Sequence, residues 1–288
     1  MAQAVKQMYP PLLDPNMPDA DLVFLAKDQV THQFDESEGG FGQGPKFAMT
    51  SRMQGLLRHW AIARRHKDND KIALEVVMTT LTKIARGGIY DHLGGGFFRY
   101  TTDRAWRTPY FEKVLCDNAQ LLSIFAEALR LGPDPLFQDA ISDTIKWLMA
   151  DMRHAKGGFY ASQDALLIQS NETAVGKYYL WRREEVKKHL KEDEYLLVET
   201  LYGIDRPANL DNHWSLHRSD SYRSVVERLS MQVDAANEVL ASAKEKLFLV
   251  RQQRSAPRTD ETILTAWNGL LISGLVEAGT VMQRPDWI

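Results

Sequence analysis

The chain has 288 residues, of which 44% are apolar and 25% are charged, and its formal net charge is −3. These values are ordinary for a soluble globular protein. The chain lacks the strong excess of basic residues that proteins binding nucleic acids or anionic membranes have. The single cysteine, Cys116, excludes an internal disulfide and any CxxC redox or zinc motif, so a reducing, cytoplasmic setting is expected.

The N-terminal segment, residues 1–18, is rich in proline and is predicted to be a tail or linker. The remaining residues, 19–288, are predicted to form one domain. The sequence has no signal segment and no apolar run of membrane-spanning length. Helical periodicity dominates from the first predicted helix, which begins after Asp19.

Three further helices follow from the spacing of apolar residues. The second carries an apolar stripe from Met53 to Ala61. The third begins near Asp70 and is expected to end at Gly87-Gly88 as a glycine C-cap. The fourth is predicted from about Pro109 to Gly132.

The second half of the chain is also mainly helical. Asp134-Pro135 predicts an N-cap followed by proline at the first helical position, and this fifth helix closes at Gly157-Gly158. Short aromatic runs between residues 158 and 181 predict a β-hairpin. The last helix is apolar nearly all round and is therefore expected to be buried. The final three predicted helices lie at about residues 183–203, 222–253 and 260–282.

A repeated turn signal suggests the architecture. A Gly-Gly pair followed by an aromatic or aliphatic residue and then Tyr or Gly recurs after helices, at residues 39–42, 87–90 and 157–160. The spacing is too irregular for a solenoid repeat. About eight helices in successive hairpins, with the same turn chemistry at alternate ends, predict an all-α (α/α) toroid with a minor β element. A plain helical bundle or superhelix is the alternative.

Polar residues on the fourth predicted helix raise the question of a cavity. Asn118 falls in the middle of an apolar stripe, and a buried carboxamide costs free energy unless it is hydrogen-bonded. Either it caps a neighbouring loop, such as the glycine-rich one, or it points into a polar cavity. Glu112 lies in the predicted first turn, where a carboxylate suits the helix dipole, and Asp117 lies on another face.

Carboxylates with aromatic neighbours occur in or beside the predicted loops. A sugar site needs oxygens that bind hydroxyls and rings that stack on pyranose faces, and a carboxylate pair can run glycosidic acid/base chemistry. Aspartate in a turn also has a purely structural use. The carboxylates concerned are Asp91, Asp103, Asp164 and Asp260.

Among the histidines, His92 is the better acid/base candidate because its pKa allows proton transfer near neutral pH. His213 and His217 have i, i+4 spacing, but their surroundings do not predict a helix. Phosphate-loop motifs do not occur in the sequence. No metal and no cofactor are therefore expected.

Six segments together resemble the YyaL-type, spermatogenesis-associated thioredoxin-domain family, and they cover nearly everything after residue 34. That family has an N-terminal thioredoxin-like domain followed by an (α/α) toroid resembling N-acylglucosamine 2-epimerases and six-hairpin glycosidases. In chain order the segments are FDESEGGFGQGPKF, GGIYDHLGGGFFRYTTD, YFEKVLCDNAQLL, KGGFYASQDA, GKYYLW and TDETILTAWNGLLISGL.

The resemblance implies an incomplete (α/α)6 toroid, because fewer helices are predicted than six hairpins need. The chain would begin after the thioredoxin-like domain and lack the last toroid helices, as a fragment, a truncated product or a split protein. An open ring would expose apolar surface. The expected partners are a sugar-like small molecule and either a second copy of the chain or a missing C-terminal segment, with no nucleic acid and no membrane.

The resemblance also singles out site residues. Asn118 stands where a similar epimerase helix has a histidine, and this substitution weakens the case for epimerase chemistry. Three other residues, Tyr110, Leu166 and Thr262, depart from the family pattern. Five of the site residues, Asp91, Asp117, Asn118, Asp164 and Trp267, are expected to line one cavity. The catalytic candidates are Asp91, His92, Asp117 and Asp164. The substrate-binding candidates are Tyr90, Glu112, Lys113, Asn118, Gln163, Asp260, Trp267 and Asn268.

Three functions remain open at this point. The first is a toroid that binds or converts a sugar or amino sugar, as an isomerase, epimerase or hydrolase, at the end that carries the glycine-rich loop. The second is a non-catalytic module that binds a ligand or partner and works with a thioredoxin-like domain. The third is an inactive truncated product.

Overall fold

The computed structural model describes residues 20–65, 70–169 and 172–288, so the predicted tail over residues 1–18 lies outside the described residues. The described part is mostly α-helical, with three small antiparallel sheets. Its helices are α1 Ala20–Thr31, α2 Thr50–Arg65, α3 Lys71–Arg86, α4 Leu115–Leu129, α5 Pro135–Trp147, α6 Arg183–His189, α7 Glu192–Leu201, α8 Tyr222–Arg228, α9 Val233–Gln252 and α10 Thr265–Val281. Its strands are β1 Lys46–Phe47, β2 Tyr100–Thr101, β3 Pro109–Tyr110, β4 Lys113–Val114, β5 Ser162–Gln163, β6 Leu166–Gln169, β7 Glu172–Val175 and β8 Thr259–Asp260.

The helices of the larger core form two layers. Helices α2 and α3 follow each other after a short connection and pack together, and so do α4 and α5. Within one layer α4 lies between α2 and α10, and within the other α3 packs on α5. Helix pairs that alternate between an inner and an outer layer are the arrangement of an (α/α) toroid. The all-α toroid prediction is confirmed for the described helices.

Capping and packing explain why these helices form where they do. Asp70 accepts a hydrogen bond from the Ala73 N–H at the start of α3, and Asp134 accepts one from Leu136 at the start of α5. The N-cap at Asp134 is predicted by the sequence, and α3 begins next to Asp70, where the third helix is predicted to start. The apolar stripes of these helices bury one continuous core that extends from α2 to α10.

A second, smaller core lies among helices α6 to α9. Trp181, Leu201, Val225 and Leu247 are fully or almost fully buried in it. The last turn of α9 connects the two cores, because Arg251 pairs with a carboxylate of the larger one. None of the helices in the described ranges is both long and apolar enough to cross a membrane.

Several predicted boundaries are wrong for a common reason. The fourth helix begins at Leu115 rather than near Pro109, because the residues between them form strands β3 and β4. The helices predicted over 183–203 and 222–253 are each two helices. Apolar periodicity alone does not reveal a strand of two residues, or a turn that leaves the stripe in phase.

The predicted hairpin exists, but at another place. Strands β6 and β7 pair in register from Leu166 with Val175 to Gln169 with Glu172. The aromatic runs that were predicted to form its strands lie outside the observed hairpin. Phe159, Tyr178 and Tyr179 pack against the larger core instead.

The last helix is shorter and less buried than predicted. It begins at Thr265, and Leu270, Ile272 and Val276 on its outer side are 41%, 63% and 41% exposed. Its other side packs closely on α4, where the Gly274 position has no room for a Cβ because the Ala119 carbonyl oxygen would lie 2.6 Å away.

Gly87 follows α3 as predicted, but not for the predicted reason. Its φ is −67° and its ψ is 166°, so it is an extended residue and not a left-handed C-cap. A Cβ at Gly87 would lie 2.8 Å from both Cβ and the carbonyl oxygen of Trp106. Glycine is required there by the close approach of another loop.

The ion pair of Glu194 with Lys246 in the smaller core is expected to be sensitive to acid. Burial by itself raises the pKa of this carboxyl, but Lys246, the Lys191 N–H and the Ser242 hydroxyl outweigh burial and lower the pKa to about 2. A depressed folded-state pKa contributes stability above the unfolded-state pKa of about 4.3, and this contribution is lost as the pH falls towards 2.

Glu194→Gln should therefore lower the free energy of unfolding at pH 6, and the difference from wild type should shrink as the pH is lowered to 3. Urea unfolding at both pH values measures this. Glu192→Gln, at an exposed position of the same helix, is the control. A difference between wild type and Glu194→Gln that does not change with pH would contradict the prediction.

Candidate functional site

A small sheet brings three distant parts of the chain together. Strand β5 lies between β4 and β8, with Lys113 opposite Gln163 and Ser162 opposite Asp260. The backbone pairing continues beyond the strands, because the N–H of Asp164 donates to the Arg258 carbonyl at 2.8 Å. The ends of α4 and α10 are thereby held at one place.

The alternation of side chains along these strands separates the predicted site residues into two groups. Lys113 and Gln163 are opposite each other, and both point into the core. Glu112, Asp164 and Asp260 belong to the other face. Glu112 thus lies beside a strand, and not in the first turn of a helix as the sequence predicts.

This outer face forms a groove with a volume of about 870 Å³. We call it the acidic groove, and it is lined by Glu112, Ser162, Asp164, Arg258, Thr259, Asp260 and Glu261. Four of its seven lining residues are carboxylates and one is a cation. Hydroxyl-bearing and cationic ligands suit such a lining better than anions do.

Asp117, in the first turn of α4, is a partly buried carboxyl that interacts electrostatically with Glu112 of the groove but is not among the lining residues. Burial raises the pKa of Asp117, the positive charge of Arg99 lowers it in part, and the negative charge of Glu112 adds to the rise. Arg99 itself pairs with Glu112 at 3.0 Å. Asp117 therefore holds a proton more readily than an ordinary aspartate, whereas the carboxylate of Glu112 has a cationic partner.

An aromatic stack adjoins these residues. The rings of Phe47 and Tyr100 stack with centroids 4.7 Å apart, and those of Tyr100 and Tyr110 with centroids 5.1 Å apart. The register of the sheet β1–β2–β3 places these three residues opposite one another on one face. Arg99 precedes β2 and Glu112 follows β3 in the chain, and the two side chains pair at 3.0 Å. The three rings are not among the residues that line the acidic groove.

Asp91, by contrast, is part of a buried ion-pair network. Its carboxylate is 2.8 Å from Lys113 Nζ and 2.7 Å from Arg251 Nη1, and all three residues are at most 5% exposed. It also accepts hydrogen bonds from the N–H groups of Leu93 and Gly94. The network joins the glycine-rich loop, β4 and α9, so Asp91 has a structural position rather than one in the groove.

His92 is buried beside Asp91. Its Nε2 lies 3.0 Å from the Gly87 carbonyl oxygen and 3.2 Å from that of Arg86. Burial, assisted by the positive charges of Arg218 and Lys244, holds the pKa of His92 well below its usual value. A neutral histidine that binds the end of α3 is not placed to exchange protons with a ligand in the acidic groove.

Asn118 caps the glycine-rich loop, which is the first of the two interpretations of its sequence position. Its Oδ1 accepts from the Phe97 N–H at 2.7 Å, and its Nδ2 donates to the carbonyls of Phe97 and Val114. Asn268 makes the equivalent three bonds to Phe159 and Leu264. The two asparagines occupy the same turn of α4 and α10, and each fixes the phenylalanine that follows a Gly-Gly pair.

A duplicated loop is the main feature that the sequence interpretation missed. At both Asp35 and Asp91 the aspartate N–H donates to the carbonyl of the second glycine of a pair, at 2.9 and 3.0 Å. In both loops a lysine, Lys46 or Lys113, pairs with the aspartate at 2.9 or 2.8 Å. The pattern Asp-x3-Gly-Gly-Phe is common to both loops and is visible in the sequence. The turn repeat predicted from the sequence pairs Gly39-Gly40 with Gly87-Gly88, whereas the structural equivalent of Gly39-Gly40 is Gly95-Gly96.

The rest of the predicted residues are also scaffold. Tyr90 donates its hydroxyl to Asp143 at 3.2 Å, Gln163 accepts from the Trp147 indole at 2.9 Å, and Trp267 packs against the larger core. Asp91 and His92 line a void of only about 10 Å³, which is separate from the acidic groove. The single cavity predicted to contain Asp91, Asp117, Asn118, Asp164 and Trp267 is therefore not formed by the described residues.

Comparisons with known proteins agree with the motif resemblance. Spermatogenesis-associated protein 20 of Homo sapiens is 33% identical over 277 residues, which cover 89% of this chain and 35% of the human protein. The protein of that name from Rattus norvegicus is 33% identical and is covered to the same 35%. Uncharacterized protein B0495.5 of Caenorhabditis elegans is 29% identical over 311 residues, 100% of this chain and 42% of that protein. The chain thus spans about a third of the length of the mammalian relatives that it matches. No family model matches the chain.

Solved structures are similar only at a low level. A sugar epimerase from a ruminal bacterium has a TM-score of 0.40 and 11% identity, over 92% of this chain and 83% of that one. A family 76 glycoside hydrolase from a bovine Bacteroides thetaiotaomicron strain has a TM-score of 0.43 and 14% identity, over 93% and 53%. D-mannose isomerase has a TM-score of 0.41 and 9% identity, over 94% and 85%. These scores are too low to support an inference about the substrate of this chain.

Proposed function

We propose, for a chain that is a homologue of spermatogenesis-associated protein 20, that the acidic groove binds and converts a sugar or amino sugar. The observation that carries the proposal is the lining of the groove, in which four of seven residues are carboxylates. Carboxylate oxygens accept hydrogen bonds from sugar hydroxyls, and exposed aromatic rings offer apolar faces to pyranose C–H groups. The groove supplies the carboxylates, and the stack of Phe47, Tyr100 and Tyr110 supplies aromatic rings close in the chain to Arg99 and Glu112.

The charge of the groove favours an amino sugar over an acidic sugar. Glu112, Asp164, Asp260 and Glu261 outnumber Arg258, the cation among the lining residues. A protonated amino group gains from this excess of negative charge, whereas a uronic acid is repelled. A neutral sugar gains only the hydrogen bonds and the stacking.

The chemistry that we assign to the site is acid/base catalysis by two carboxyl groups. Asp117, whose pKa is raised by burial, is assigned as the acid. Glu112, whose carboxylate pairs with Arg99 at 3.0 Å, is assigned as the base. Hydrolysis, isomerisation and epimerisation of sugars all need one group that donates and one that accepts a proton.

Substitution of either carboxyl tests the assignment. Asp117→Asn and Glu112→Gln should each lower the conversion of a responsive sugar by at least about a hundredfold and leave the folded state intact. A thermal-shift screen of neutral sugars, amino sugars and uronic acids would first identify a ligand, and NMR of the mixture would then report its conversion. Glu227→Gln, at an exposed position on α8, is the control for loss of a carboxylate elsewhere.

The outcomes separate the alternatives. Binding without conversion by the wild-type chain would favour a non-catalytic sugar-binding module. No shift with any sugar, or a shift that Glu112→Gln and Asp117→Asn leave unchanged, would refute a site in the acidic groove.

A further inference from the structure

A second cavity lies between α5 and α9, away from the acidic groove. It has a volume of about 1020 Å³, and Arg218, Lys244, Asp139 and Asp143 are among its polar lining residues. Leu136, Leu240 and Phe248 contribute apolar surface to it. We call it the α5–α9 cleft. Its mixed lining, with apolar walls and a few convergent charges, is typical of small-molecule sites.

Arg218 is the feature of the cleft that needs explanation. Its backbone N–H donates to the Arg86 carbonyl at 2.7 Å, which fixes the residue at the end of α3. The Nε atom of its side chain is buried and has no hydrogen-bond partner within the described residues. Its guanidinium carbon lies 5.9 Å from the centroid of the Tyr202 ring. No carboxylate of the described residues lies within ion-pair distance of it.

Three other interior cations differ from Arg218 because each has a carboxylate partner. Lys46, Lys113 and Arg251 are each paired with a buried aspartate, at 2.9, 2.8 and 2.7 Å. A charge removed from water is costly unless it has a partner. The fold provides carboxylates for these three, whereas the first polar neighbour of the Arg218 guanidinium is Tyr202.

None of the acidic residues that line the cleft forms an ion pair with Arg218. Asp143 already pairs with Lys244 at 3.1 Å and accepts the Tyr90 hydroxyl at 3.2 Å. Asp139 has no hydrogen bond or ion pair within the described residues, and burial raises its pKa although Arg218 lowers it in part.

We propose that the α5–α9 cleft binds an organic anion, whose carboxylate or phosphate group pairs with Arg218 while its apolar part lies against Leu136, Leu240 and Phe248. A guanidinium presents two N–H groups in one plane, which matches the two oxygens of either anion. A cleft of this volume is larger than the anionic group alone requires, so the apolar part supplies the rest of the contact. The site shares no lining residue with the acidic groove and is independent of its function.

Calorimetric titration of the chain with four probes tests the proposal. Benzoate and phenyl phosphate carry the anion and the apolar part, benzyl alcohol lacks the charge, and inorganic phosphate lacks the apolar part. We expect binding of at least one aromatic anion, and a rise in its Kd of at least about tenfold in Arg218→Met, since a charge-assisted bond is lost. Arg223→Met is the matched control, because Arg223 lines the same cleft but is 86% exposed and pairs with Glu227.

Two further measurements keep the result decisive. Ala241→Trp fills the cleft from an exposed position on α9 and should abolish binding in a chain whose Arg218 is intact. Comparison of benzoate with phenyl phosphate tells which anion the site prefers. The proposal is wrong if neither aromatic anion binds, if benzyl alcohol binds as tightly as benzoate, or if inorganic phosphate binds as tightly as phenyl phosphate. Equal Kd values for wild type and Arg218→Met would also refute it.

Discussion

Replacement of Asp91 by asparagine should lower the free energy of unfolding by about 3–5 kcal/mol, the usual cost of removing one partner from a buried ion pair. Lys113 and Arg251 would then face each other without the charge that balances them. The carboxylate also accepts from the N–H groups of Leu93 and Gly94. Asparagine keeps one oxygen that can accept from them, so the loss comes mainly from the two ion pairs.

Urea unfolding followed by circular dichroism measures this loss, and the duplicated loop provides the control. Asp35→Asn removes the same type of pair with Lys46, but the second partner there, Arg104, is 44% exposed. A cation that can reach water loses less when its partner is removed, so Asp35→Asn should cost less than Asp91→Asn. A loss below about 1 kcal/mol at Asp91, the range of a surface pair, would show that the network is not a structural support.

The same network should make the fold sensitive to acid. Burial alone raises the pKa of Asp91, but Arg251 and Lys113 together hold it far below its usual value. Because the folded-state pKa is depressed, the stabilisation is complete above about pH 4 and decreases as the pH falls below it. Asp91→Asn should remove this part of the pH dependence.

Replacement of Asn118 by alanine should cost about 3 kcal/mol, because three backbone groups in the core would lose their partner and each unsatisfied group costs about 1–3 kcal/mol before relaxation. Asn118 is fully buried, and the groups left behind belong to Phe97 and Val114. Water has no access there to replace the lost bonds. The glycine-rich loop should then open locally, which hydrogen exchange at the Phe97 N–H would report.

Asn268→Ala is the matched variant, since it removes the same three hydrogen bonds at the start of α10. Asn268 is only partly buried, so water can replace part of what is lost and the cost should be nearer 1 kcal/mol. Equal losses for the two variants would contradict the argument from burial. A loss in Asn118→Ala without faster exchange at Phe97 would contradict the assigned capping role.

Helix existence and capping follow from local rules, which is why the sequence predicts most of the helices. Asp70 and Asp134 cap α3 and α5 because an aspartate before a helix can accept from a nearby free N–H, and this depends on a few neighbouring residues only. The start of α4 is the instructive failure. Apolar periodicity continues through Phe111 and Leu115, but pairing with β2 and β5 keeps the residues up to Val114 extended.

The candidate site shows the same limit. Carboxylates beside aromatic residues indicate sugar chemistry in the sequence, and Glu112, Asp164 and Asp260 do lie together in the acidic groove. Asp91 and His92 have the same local chemistry but are buried as scaffold. The residue types near a loop do not tell whether a carboxylate will line a groove or be buried in an ion pair.

The sequence by itself determined the helical character of this protein, its N-caps, its Gly-Gly loops and the residue types available for a site. Only the tertiary structure decided which of those residues face a ligand. The register of Lys113 with Gln163, 50 residues apart, puts Glu112 in the acidic groove and Lys113 in the core. The physical reason is that side chains alternate along a strand, so one long-range pairing decides the face of every residue in it. The glycine-rich loop shows the same dependence on distant residues, because the side chains that hold it belong to other elements: Asn118, Lys113 and Arg251.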